Sequence, residues 1–207
     1  MKLLIASHNS AKVSEYKQYL SDLSFDVISL SDLGVTEESP EGAETFEENA
    51  INKVKFYHKL TGFPAIGDDG GLMIDALGGA PGVKSRYWLG YKMTDEEMLE
   101  AVMKRMKDVP PEKRTGRLVG VITLITPDGK IYTEWTQIEG VIAEKPSSKR
   151  LAGYPYRSFF YLPQLKKFYI ELTDEEHKEI NHRKVTLSKL RPYLNKINEN
   201  EISHRRL

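Results

Sequence analysis

The chain has 207 residues, of which 40% are hydrophobic and 29% charged, a balance that suits a globular fold with a sizeable core. Thirty basic residues offset thirty acidic ones, so net charge gives no reason to expect binding to nucleic acid or to a membrane surface, and neither is expected as a partner. Cysteine is absent, which excludes disulfides and thiolate metal sites; the N-terminal apolar run ends at Ser7, too short for a signal peptide or a membrane span, and a cytoplasmic protein is expected.

Residues 3–6 form a short apolar run that predicts a buried strand. The polar turn Ser7-His8-Asn9-Ser10 follows, and then Val13, Tyr16, Leu20 and Leu23 recur at helical spacing. A strand, a polar turn and a helix together aim backbone N–H groups at the turn. Residues 25–30 predict a second strand, and residues 36–44, acidic and holding Pro40 and Gly42, a loop. Thr45 and Glu48 have capping-box spacing before a helix whose buried face is Phe46, Ala50, Val54 and Tyr57. Asn49 and Lys53 lie four apart on another face of it.

Ala65-Ile66 and Leu72-Met73-Ile74 read as two strand-like pieces flanking Asp68-Asp69-Gly70-Gly71. Residues 78–82 are a breaker-rich loop. Thr94 and Glu97 repeat the capping box before a helix with Met98, Val102 and Met106 inward. Residues 117–126 and 131–138 predict strands joined by a hairpin turn at Pro127-Asp128-Gly129-Lys130, with 141–142 as a further short strand. Residues 147–150 are a polar, basic loop; Thr173 and Glu176 open a third capped helix; Pro192 predicts an end or kink in the last one. Strands interleave with helices and one hairpin is present, so the class is α/β or α+β with a mixed sheet.

A nucleoside triphosphate needs cations and N–H donors for its phosphates, a carboxylate to hold Mg²⁺, and a group that orients or deprotonates water. Ser7, Asn9 and Lys12 offer the first, although a surface turn with a solvated lysine has the same composition, and the glycines of a Walker A loop are missing. Asp68 and Asp69 offer the second: adjacent carboxylates repel unless a cation or a proton relieves them, and Mg²⁺ is a hard ion that takes carboxylate oxygens. An ordinary acidic turn is the competing reading. Glu41 in its charged loop and Lys53 on its helix read equally as solvated side chains, and His182-Arg183 can simply satisfy helix carbonyls. No Ser-His-Asp or zinc pattern is present, so activated water is the economical nucleophile.

In their order along the chain, these segments resemble the Ham1, or inosine triphosphate pyrophosphatase, family. The resemblance rests on Ala6-Ser7-His8-Asn9-Ser10-Ala11-Lys12 with Glu15, on Thr45-Phe46-Glu47-Glu48-Asn49-Ala50 with Lys53, and above all on Asp68-Asp69-Gly70-Gly71-Leu72 followed by Asp75-Ala76-Leu77-Gly78-Gly79-Ala80-Pro81-Gly82-Val83 and Ser85. Glu171-Leu172-Thr173-Asp174-Glu175-Glu176 and His182-Arg183 complete it. It implies an elongated mixed sheet flanked by helices, two lobes around a central cleft, and a homodimer. Residues 1–194 would form that single two-lobed domain, with 195–207 a frayed polar tail.

The implied reaction is Mg²⁺-dependent cleavage of a nucleoside triphosphate between its α- and β-phosphates, on deaminated purines such as ITP, dITP and XTP. By resemblance, Ser7, Asn9, Lys12 and Lys53 hold phosphates, with Lys12 and Lys53 also catalytic; Glu41, Asp68 and Asp69 form the metal set. Asp69 orients or deprotonates water, Ser85 lines the cleft, and His182 and Arg183 contact the base, with Gly70, Tyr154, Tyr156, Arg157 and His177 at substrate positions.

The departures cluster at the base end. Gly153-Tyr154-Pro155-Tyr156-Arg157-Ser158 stands where the family has Gly-Phe-Gly-aromatic-Asp-Pro. Tyr154 and Tyr156 keep aromatic rings on which a base can stack, but Arg157 replaces an aspartate. A carboxylate only accepts hydrogen bonds and a guanidinium only donates, so Arg157 cannot take the ring N1–H of hypoxanthine. His177 replaces a lysine, Asn181 a serine, and Gly70 lacks the serine hydroxyl; the register of Ser85-Arg86-Tyr87-Trp88 is open. The expectation is a triphosphate pyrophosphohydrolase with altered base preference. A catalytically impaired nucleotide-binding or regulatory protein of the same fold is the alternative, and Arg157 turned to solvent would leave inosine preference intact.

Overall fold

Four consecutive apolar residues, Leu3 to Ala6, are buried together, which requires cover on both faces of the strand that carries the first three of them, β1 (Lys2–Ile5). The computed structural model describes residues 1–40 and 42–204, with the backbone alone at 178 and 199–204. β1 pairs in parallel with β2 (Asp26–Ser29) and with β3 (Ala65–Ile74). With β4 (Thr115–Ile125), β5 (Ile131–Ile142), β6 (Phe160–Leu162) and β7 (Lys167–Phe168), the sheet has seven strands in the order β2-β1-β3-β4-β5-β6-β7. The pairs β5–β6 and β6–β7 are antiparallel, so the sheet is mixed, as the hairpin signal predicts. The chain divides into two compact units: Met1–Asp69 with Gly120–Thr136 and Arg183–Leu207, and Gly70–Val119 with Gln137–His182.

In the first unit, the two-residue period of β1 sorts the core. Leu3 and Ile5 join Ile66 against Tyr16 of α1 (Ser10–Tyr19) and Leu187, Leu190 and Leu194 of α5 (His182–His204). Leu4 and Ala6 join Ala65 against Val54 and Tyr57 of α2 (Phe46–Thr61). Each fully buried Leu or Ile contributes about 2 kcal/mol by leaving water. Thr45 caps α2 by accepting from Glu48 N, and Gly62 ends it in the left-handed region. α5 runs through Pro192 and on to residue 204, so the expected frayed tail is helical from 195 to 204; the proline removes only the hydrogen bond to the Ser188 carbonyl.

The second unit is built on β6, β7 and its share of β3, β4 and β5. Its core joins Leu72 and Ile74 to Leu118, Ile142, Phe160 and Leu162, and to Leu99, Val102 and Met106 of α3 (Asp95–Met106). Buried Arg114 donates to the carbonyls of Met106 and Val109, at and just past the end of α3, and to those of Ile142 and Ala143 at the end of β5. α4 (Asp174–Ile180) begins with the complete Thr173–Glu176 capping box.

Two expected breaks do not occur. β5 is continuous through Gly140, where a Cβ would meet the Phe160 ring at 2.6 Å; glycine there permits β6 to approach and does not end the strand. β3 is continuous through Gly70 and Gly71, which stay outside the left-handed region. No helix among the described residues is long and apolar enough to cross a membrane.

Candidate functional site

The continuity of β3 decides how the two aspartates are displayed. Adjacent strand residues point to opposite faces, so Asp68 shares the α1 and α5 side with Ile66, and Asp69 the α2 side. A Cβ on Gly67 would lie 2.7 Å from Val54 Cγ1, so this position lets α2 come close to β3 just before the acidic pair. Asp68 is buried at 4% exposure, whereas Asp69 is half-buried.

A buried carboxylate must be compensated. Lys12 Nζ of α1 lies 3.1 Å from each oxygen of Asp68, and Arg183 of α5 donates to Oδ2 from Nε at 3.0 Å. The same guanidinium donates to Glu15, three residues from Lys12 on α1. Lys53 Nζ of α2 donates to the Asp68 carbonyl at 3.1 Å. Burial pushes the Asp68 carboxyl up, but Lys12, Arg183 and Lys53 together outweigh it and hold the group well below its ordinary 3.8. Lys12 is lowered from its ordinary value, first by burial, then by Arg183 and Lys53, against the pull of Asp68 and Asp69.

Lys12, Lys53 and Asp68 thus lie together, and the Asp68 charge is compensated by Lys12 and Arg183. Three other residues expected at the substrate have partners within the protein. Arg183, expected to contact the base, donates to Asp68 and Glu15, since the first turn of α5 packs beside α1 and β3. Asn9, assigned to phosphate, spends its side-chain oxygen capping α1, accepting from Ala11 N and Lys12 N. Ser7 Oγ accepts from Asn9 N and so belongs to the same turn.

Glu41 lies outside the described residues. Its loop is fastened at other points: Tyr57 Oη donates to the Glu37 carbonyl at 2.9 Å and accepts from Ser39 N, and Asn49 Oδ1 accepts from Ala43 N at 3.2 Å. Among the described residues no three His, Asp or Glu side chains gather as a metal cluster. Asp68 offers one ionised carboxylate, a hard-oxygen ligand of the kind that divalent cations take.

In the second unit, Arg157 is buried at 7% exposure. Its guanidinium lies over the Tyr154 ring at 3.8 Å and 5.3 Å from the centre of Tyr169. Tyr169 also meets the His177 ring edge-on at 5.4 Å, and its hydroxyl lies 3.4 Å from His182 Nδ1. Arg157, His177 and His182 therefore gather around Tyr169, with Tyr154 joined through Arg157, and sequence reasoning missed this residue; a tyrosine following a β-strand carries no signal of its own. Arg157 does not turn to solvent, and it takes the Tyr154 face on which a base was expected to stack.

Tyr156 is occupied elsewhere. Its hydroxyl reaches Met98 Sδ at 3.7 Å, its ring meets Phe159 edge-on, and burial pushes its pKa up to about 12. Ser85 Oγ donates to the Gly82 carbonyl. Gly70 is exposed within β3.

The ion cluster makes a prediction about stability. Arg183→Met is expected to cost about 3 kcal/mol at neutral pH, because it leaves buried acids short of a partner. Asp68 is held below its unfolded value, so the stability it brings is complete above pH 3.8 and is lost as pH falls from there. The gap between wild type and Arg183→Met should then narrow below that pH. Urea titrations at pH 7 and pH 3 check this, and a gap that widens in acid would contradict it.

An open mixed sheet of seven strands, flanked by helices and carrying an ion-paired aspartate on β3, defines an α/β protein. The chain belongs to the Ham1 family, whose model matches residues 3–193. It is 38% identical over 187 residues to the dITP/XTP pyrophosphatase of Bacillus subtilis (strain 168), covering 90% of this chain and 93% of that one. The dITP/XTP pyrophosphatase of Yersinia pestis is 40% identical over 88% of this chain and 92% of its own. Among solved structures, the Ham1 protein of Staphylococcus aureus superposes with a TM-score of 0.81 at 30% identity, over 95% of this chain and 99% of that one. A HAM1 protein from Coxiella burnetii gives 0.82 at 33% identity, with the same coverage.

Proposed function

We propose that this chain cleaves nucleoside triphosphates between the α- and β-phosphates, releasing the monophosphate and pyrophosphate, with a base preference altered by Arg157. That it is a nucleoside-triphosphate pyrophosphatase follows from its family and from relatives of that name at 38% and 40% identity. The observation that carries the finer reading is the convergence of Lys12 and Lys53 on Asp68. Lysines near an ionised aspartate suit a triphosphate bound together with a cation.

We assign Mg²⁺ to Asp68 and Glu41, phosphate contacts to Lys12 and Lys53, and water activation to Asp69. A bound Mg²⁺ would supply Lewis-acid stabilisation of phosphate charge. Asp69 is assigned the base because it is half-buried beside Asp68, whose own carboxyl is held well below its ordinary value by Lys12, Arg183 and Lys53 and is a poor proton acceptor. Contact with the base is assigned to Tyr154, Arg157, His177 and His182. Arg157 donates only, so it favours acceptor atoms on the base and gives no partner to a ring N–H.

The test is a substrate panel. With Mg²⁺, the protein is given ITP, XTP, dITP, the four standard ribonucleotides and dUTP, and pyrophosphate and orthophosphate are measured separately. Pyrophosphate release with a ranking not led by ITP is expected. Orthophosphate as the main product would refute α–β cleavage, and a strong ITP preference would refute the altered pocket. Binding of all nucleotides without turnover would favour a regulatory protein. Sedimentation in the same buffer tests the homodimer that the resemblance implies.

A further inference from the structure

α3 opens with more acid than its cap requires. Thr94 and Glu97 already satisfy the helix start reciprocally, Thr94 accepting from Glu97 N and Glu97 accepting from Thr94 N at 2.7 Å. The carboxylate of Asp95, at the first helical position, is therefore available for contacts outside the helix. It makes two, one with each oxygen. Oδ1 accepts from Arg86 Nη1 at 2.9 Å, and Oδ2 accepts from Gly153 N at 2.6 Å. Arg86 also donates to the Met93 carbonyl, and Met93 N donates back to the Arg86 carbonyl, so this arginine is fixed at both ends.

Gly153 sits at φ 80°, in the left-handed region, immediately before Tyr154. Arg157 N donates to the Tyr154 carbonyl, so the orientation of the Gly153 peptide passes directly into the Tyr154–Arg157 turn. Tyr156 in that turn is held by Met98 of α3. The helix start, the 85–86 segment and the 153–157 segment thus meet on one carboxylate.

We propose that Asp95 is a positioning residue for base selection: it fixes the Gly153 turn and thereby the stack of Arg157 on Tyr154. The inference rests on the assignment of base contact to Tyr154 and Arg157. Asp95 touches no substrate in this scheme. Its loss loosens the pocket that ranks bases and leaves the Lys12, Lys53 and Asp68 cluster as it was.

The experiment compares Asp95→Ala, Asp95→Asn and Arg157→Ala with wild type on the same nucleotide panel, with thermal midpoints recorded for each. Asparagine keeps the volume but can no longer accept from both Arg86 and Gly153, so it serves if the alanine variant does not fold. Both Asp95 variants are expected to compress the spread of kcat/KM between the best and worst bases about tenfold, mainly through KM, with kcat on the best base nearly kept. Asp95→Glu should recover part of the spread. If Arg157→Ala changes the ranking and neither Asp95 variant does, the inference fails while the base assignment stands. If kcat falls equally on all nucleotides in the Asp95 variants, Asp95 is merely structural and the inference also fails. If Arg157→Ala leaves the ranking untouched, the base assignment fails and takes this inference with it.

Discussion

Asp69→Asn is expected to lower kcat about 10³-fold while affinity for a non-hydrolysable triphosphate changes by less than about threefold, as removal of a general base does. The amide has the volume of the carboxylate and can still accept one hydrogen bond, but it cannot take a proton from water. Asparagine can take the extended backbone that Asp69 has within β3. Asp68→Asn is the control with the opposite signature. It removes the charge that Lys12 and Arg183 compensate, so it should lower stability and nucleotide affinity together. Isothermal titration with the analogue, beside single-turnover hydrolysis, separates the two. A kcat for Asp69→Asn within tenfold of wild type would remove Asp69 from the chemistry.

The difference between those aspartates was only half legible in the sequence. Their adjacency, and the lysines at positions 12 and 53, pointed to phosphate and metal chemistry. Their separate fates depend on whether the chain bends at Gly70-Gly71. Composition favours a bend, but both glycines stay extended, and the strand sends Asp68 inward and Asp69 to the other face. Tertiary pairing outweighed a local breaker signal, as it did at Gly140 in β5.

The contacts of Arg183 with Asp68 and Glu15 were not legible for a related reason. Sequence order sets Arg183 beside His182, and His182 does meet Tyr169. The two are nevertheless consecutive in the first turn of a helix, about 100° apart around its axis. One therefore faces Tyr169 and the other faces Asp68 and Glu15. Asn9 shows a plainer limit: a residue before a helix is a good cap whether or not a ligand is nearby, and here the cap takes its oxygen. What the sequence conveyed best was periodic: the faces of α1, α2 and α3, the three Thr-x-x-Glu starts, and the hairpin between β4 and β5.

The same concern with donors and acceptors governs the base end, where the other large effect is expected. Arg157→Asp should raise the ratio of kcat/KM for ITP over that for ATP by about 10²-fold, since a buried site discriminates strongly when one partner would be left unpaired. Hypoxanthine presents an N1–H donor beside the O6 acceptor, and adenine reverses both, offering an unprotonated N1 beside an amino donor. Arg157 can donate to O6 of the first or to N1 of the second, so it separates them poorly. An aspartate accepts from the inosine N1–H and repels the lone pair of adenine N1. The substitution also removes the guanidinium from the Tyr154 face, returning that ring to a base as a stacking surface. A carboxylate placed where Arg157 is buried will cost stability, so Arg157→Gln, which both donates and accepts, is measured alongside and should give an intermediate ratio. Equal losses for ITP and ATP in both variants would mean that Arg157 supports the fold of its loop and reads no base.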